Sequence, residues 1–71
     1  MKKYTFEEAK QDFKEIAIGL IQLKCITTNR ELSSLACGFN SVLIRTVNYT
    51  FEQIKEMYSI VDKLTNEYNL K

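Results

Sequence analysis

Three times in this chain a threonine is followed three positions later by a glutamate or glutamine: Thr5-Phe6-Glu7-Glu8, Thr28-Asn29-Arg30-Glu31 and Thr50-Phe51-Glu52-Gln53. Each has the form of a capping box. The threonine hydroxyl accepts from the backbone N–H three residues on, and the longer side chain reaches back to the N–H at the cap. Tyr49 before the third cap and Ile54 after it sit at the positions of a hydrophobic staple, and Tyr4 and Ala9 hold the same positions around the first. The three starts are almost equally spaced, and the chain has no proline to interrupt the helices they begin. Subtracting short connections at Cys25 to Thr27 and Asn48 to Tyr49 leaves helices over about 5–24, 29–47 and 51–69. Roughly equal helices of about 28 Å joined by short loops pack as antiparallel neighbours. The expected fold is all-α: a small three-helix up-down-up bundle, one domain over 1–71.

Apolar periodicity agrees with those three segments. Phe6, Ala9, Phe13, Ile16, Ala17 and Leu20 share one face of the first. Leu32, Leu35, Ala36, Phe39, Leu43, Thr46 and Val47 recur along the second. Phe51, Ile54, Met57, Tyr58, Val61, Leu64 and Tyr68 form the stripe of the third.

A chain of 71 residues buries only about 60 % of its unfolded surface, so chains of this size tend to need a supplement to the core. Histidine is absent and two cysteines cannot complete a four-ligand zinc site, so no metal is expected. Cys25 and Cys37 have no secretory segment before them and no CxxC partner; the expectation for each is a small buried hydrophobe rather than half of a disulfide. Self-association or a partner chain remains. The longest apolar run, Ile16 to Leu23, is broken by Gly19 and Gln22 and falls short of the roughly 18 residues a membrane helix needs, which points to a cytoplasmic protein with no membrane contact. Ten basic residues stand against nine acidic ones, whereas nucleic-acid binders usually carry a basic excess. Without histidine or a glycine-rich phosphate loop, and with neighbouring carboxylates placed at helix starts, neither an enzyme nor a cofactor is expected.

Residues 31–47, ELSSLACGFNSVLIRTV, admit two foldings. In one, the helix runs through Gly38, which costs about 1 kcal/mol against alanine. The apolar stripe passes Gly38 without losing phase, which favours this reading. In the other, Gly38 takes the turn of a helix-turn-helix. ACGFNS resembles the turn of AraC-type DNA-binding regulators, with Ser34 as the small residue before the glycine, Phe39 after it, and Ile44 buried in the second helix. That resemblance implies a DNA-binding transcriptional regulator. It departs from the pattern at Ser33, where an apolar residue is wanted, and in SVLIRTV, which lacks the aromatics of that helix and offers only Ser41 and Arg45 to DNA, with Asn40 and Asn48 at its margins.

Opposite the leucine stripe, Arg30, Ser33, Cys37, Ser41, Ile44 and Asn48 line one face of the middle helix, with Arg45 beside its end. From Cys25 to Asn48 the only charges are Arg30, Glu31 and Arg45. Loss of Lys and Glu around a small apolar centre is the composition of an interface core. Ile18, Ile21 and Cys25 also lie off the first helix's main face, and Ile60 is peripheral on the third, so homodimerisation through Ile18, Ile21 and Ile60 is a companion expectation. The functional expectation is a small non-enzymatic protein-binding module, a regulator or inhibitor that covers a surface of a larger bacterial protein. The excess of Lys, Ile, Asn and Tyr suggests an AT-rich bacterial or phage genome, hence a phage or mobile-element origin.

Overall fold

A computed structural model of the chain describes residues 5–46 and 49–71. Among them are three helices and no strand: α1, Phe6–Gln22; α2, Asn29–Thr46; α3, Phe51–Glu67. Each begins at a threonine. Thr5 Oγ1 accepts from the Glu8 N–H at 3.2 Å, and Thr28 Oγ1 accepts from the Glu31 N–H at 3.2 Å. The third cap is a complete capping box, with the Thr50 N–H donating to Gln53 Oε1 at 2.9 Å while Gln53 N–H donates to Thr50 Oγ1. At α2 the Glu31 carboxylate reaches one residue further back, accepting from the Thr27 N–H and from both threonine hydroxyls, all on Oε1. Those donors hold its carboxyl below the usual carboxylate range, the Thr27 backbone N–H most of all.

The first and third helices stop two residues short of the expected bounds, for one shared reason. After α1, Lys24 adopts the left-handed φ of 63°; its N–H donates to the Ile21 carbonyl and the Cys25 N–H to the Leu20 carbonyl. After α3, Asn69 does the same at φ 54°, with Asn69 N–H on Asn66 and Leu70 N–H on Thr65. Both are Schellman turns, which return backbone donors to the last carbonyls of a helix. Neither uses the glycine such turns prefer, so neither end was marked in the sequence.

The second turn sends the C-terminus back across the connection between α1 and α2. Asn29 N–H donates to the Lys71 carbonyl at 2.7 Å and Lys71 N–H to the Thr27 carbonyl. Leu70 and Tyr68 then pack against the core alongside buried Ile26. All three helices touch one another. Ala9, Phe13, Ala17, Leu32, Ala36, Leu43, Met57, Val61 and Leu64 are buried, and Phe13 meets Phe39 edge-on with centroids 5.5 Å apart. Lys10 on α1 bridges Glu7 at 3.1 Å and Glu56 on α3 at 3.3 Å.

Three stripe residues lie largely outside this core: Phe51 is 68 % exposed, Ile16 46 % and Tyr58 37 %. Conversely, Ile18, Ile21 and Ile60 are partly buried and packed against the core of the same chain. A single chain therefore gives all three partial shelter.

Candidate interaction surface

α2 runs unbroken through Gly38. The turn required by a helix-turn-helix is not formed there, and Gly38 has no left-handed φ. A Cβ built on Gly38 would meet nothing within 4 Å. The glycine therefore answers no packing demand inside the chain.

The rotation of α2 is fixed on the side towards α3. Asn40 is 7 % exposed, and its Oδ1 accepts from the Tyr49 hydroxyl at 2.6 Å. Asn29 Nδ2 donates to Thr65 Oγ1 at 2.8 Å. Burial, with the nearby Tyr58 and the Glu56 carboxylate adding to it, pushes the Tyr49 phenol up to about 12.

With α2 so rotated, Arg30, Cys37, Ser41, Ile44 and Arg45 are exposed together, Ile44 by 61 %. Ser41 donates its hydroxyl to the Cys37 carbonyl at 3.0 Å, which spends its one proton inside the helix and leaves its oxygen as an acceptor. Ser33 stands apart from this group: it is half-buried and turned to Asn29, its hydroxyl 3.5 Å from Oδ1. Asn48 lies outside the described residues. Cys25 and Cys37 are both free and exposed; this corrects the expected burial of Cys25, while Cys37 faces outward as its place on the wheel implied. Cys25 follows the last turn of α1, and Cys37 lies on the side of α2 away from the core.

A second strip was not foreseen. Ser34, Leu35, Gly38, Phe39, Val42 and Leu43, all on α2, line an open apolar groove of about 510 Å³. Val42 is 56 % exposed and Leu43 forms the buried floor. The sequence placed Leu35 and Phe39 in the core, where they are only half-buried. The signal that could have found the groove is the width of the stripe: Leu35, Phe39 and Val42 extend it beyond the arc that two neighbouring helices cover.

The two strips give α2 an outer surface of small polar and apolar side chains with few charges. Among the described residues no three potential metal-binding side chains gather, and no helix is long and apolar enough to cross a membrane. Comparison with protein families, with curated proteins and with solved structures finds no match to this chain.

Proposed function

We propose that this chain is a small non-enzymatic protein-binding module, a cytoplasmic regulator or inhibitor of phage or mobile-element origin. It acts by occupancy, laying the outer face of α2 on a surface of a larger bacterial protein. The bundle that presents this face is read as up-down-up. Lys10–Glu56 joins the early turns of α1 and α3, and Asn29–Thr65 joins the start of α2 to the end of α3.

The observation that carries the reading is Ile44, 61 % exposed in a strip of α2 that carries none of the lysines and glutamates that solvate α1 and α3. Aliphatic side chains surrounded by small polar ones, with arginines at the rim, make the desolvated centre of an interface. Cys37 and Ser41 would flank Ile44, and Arg30 and Arg45 would close the ends. Ser33 contributes at the edge, through the seam with α3.

A tagged pull-down from host lysate, with and without nuclease, tests this. Ile44→Glu is run beside it after circular dichroism has shown that its helices are intact. The expected result is a stoichiometric protein that survives nuclease and is lost with Ile44→Glu. Recovery of nucleic acid, with proteins that vanish on nuclease treatment, would overturn it in favour of DNA binding.

A further inference from the structure

The groove beside the Ile44 strip is bordered by charges of opposite sign placed evenly about Gly38. Ser34 lies four before it and Val42 four after; Glu31 lies seven before and Arg45 seven after. Positions seven apart on a helix share a face, so Glu31, Gly38 and Arg45 form one row. Closed dimers use self-complementary patches, in which each residue meets the position related to it by the two-fold axis.

We propose that the α2 groove is closed by a second copy of the same groove, the two α2 helices packing antiparallel about a two-fold axis at Gly38. The absent Cβ lets the helices approach at the near end of the usual 8–10 Å separation. Small Ser34 receives the partner's Val42, and the partner's Ser34 receives Val42 in return, so each exposed valine gains a cover. At a shallow crossing of about 20°, Glu31 and the partner's Arg45 lie about 10 Å along the helix from the axis, within reach of two long side chains. The pair occurs twice by symmetry. The cap hydrogen bonds of Glu31 fall on Oε1, which leaves Oε2 for the guanidinium. A parallel pairing would instead set Glu31 beside Glu31 and Arg45 beside Arg45.

This dimer goes beyond the proposed partner surface and shares only Arg45 with it, since Ile44 and Cys37 stay outside the groove. It also relocates self-association from Ile18, Ile21 and Ile60, which the core already shelters. One groove on an 18-residue helix makes an interface at the small end of specific contacts, so the dissociation constant is expected at about micromolar to tens of micromolar.

Sedimentation equilibrium of the full chain from micromolar to millimolar concentration is the test. Wild type is expected to pass from monomer to dimer; a monomer throughout would overturn the proposal. Gly38→Glu replaces glycine by a better helix former whose side chain starts in open space, so the monomer keeps its fold while two carboxylates meet at the axis. It is expected to remain monomeric, and a dimer of wild-type affinity would overturn the proposal. Arg45→Glu and Glu31→Lys are each expected to weaken self-association by about tenfold. An equimolar mixture of the two restores both opposite-charge contacts and is expected to recover a heterodimer. Failure to recover it would overturn the antiparallel register. Ile44→Glu should leave the dimer intact, which separates failure here from failure of the partner surface.

Discussion

The two flanks of α2 hold opposite chemistry in unexpected places. Towards α3 the flank is polar and closed, with Asn40 buried under Tyr49 and Asn29 bonded to Thr65. On the other flank Leu35, Phe39 and Val42 are apolar and open. Rotating α2 to bury Val42 more fully would gain about 1 kcal/mol of apolar transfer. The same rotation would pull Asn40 and Asn29 off their partners, at about 1–3 kcal/mol for each polar group left unsatisfied. The polar side wins. Part-buried hydrogen bonds thus hold apolar side chains at the surface, and the exposed groove is a consequence of how the opposite flank is tied.

The largest effect should come from the residue that serves both core and groove. Leu43 is 1 % exposed yet forms the groove floor. Leu43→Ala is expected to cost about 2–5 kcal/mol in urea unfolding, because the helices around the void can relax only partly. A cost near zero would mean that α2 slides to fill the space, and the contrast between its flanks would be lost.

Asn40 comes next, since it carries the closed flank. Asn40→Ala removes the short bond from the Tyr49 hydroxyl, leaves it only the 3.5 Å contact to the Gln53 carbonyl, and is expected to cost about 1–3 kcal/mol. Asn40→Leu together with Tyr49→Phe removes both partners and should cost less than Asn40→Ala alone. If the double variant is the worse of the two, shape rather than hydrogen bonding fixes the rotation of α2.

Helix starts were open to reading from sequence because each carries its own chemistry in four consecutive residues. Thr5, Thr28 and Thr50 cap as their spacing requires. The continuity of α2 through Gly38 was also written in the stripe, since a turn would have reset its phase. Helix ends were not marked, because Lys24 and Asn69 take left-handed backbone without glycine. The shelter of Ile18 and Ile21 was hidden for a related reason. It depends on tertiary packing against the buried core, and no helical wheel contains a long-range contact. The outward position of Arg30, Cys37, Ser41, Ile44 and Arg45 followed from periodicity alone. The groove next to them required knowing how α2 is rotated, which is decided by Asn40 and Tyr49.

Glycine placement gives smaller effects of predictable sign. Gly38 is helical with open space around its missing Cβ, while Lys24 occupies a left-handed turn that would suit glycine. Gly38→Ala should stabilise the monomer by about 1 kcal/mol, and Lys24→Gly should also stabilise it by up to about 1 kcal/mol. Thermal unfolding at low concentration measures both. A loss of stability in Gly38→Ala would show that the groove is already closed under those conditions, sharpening the contrast into one between two buried flanks.

The subtlest test uses pH on the closed flank. Tyr49 titrates near 10 when unfolded and at about 12 when folded, chiefly because burial penalises the phenolate. The folded state holds its proton more tightly, so the stabilising contribution is fully present below about pH 10 and is lost as pH rises towards 12. The hydrogen bond to Asn40 works in the same direction, because only the neutral phenol can donate it. Tyr49→Phe should therefore start less stable at neutral pH and then lose less between about pH 9 and 12 than wild type. Every other group is common to both proteins and largely cancels in the difference. Parallel alkaline slopes would mean that Tyr49 reaches water in the folded chain. The closed flank would then be open, and the rotation of α2 would have to be held by Asn29 and Thr65 alone.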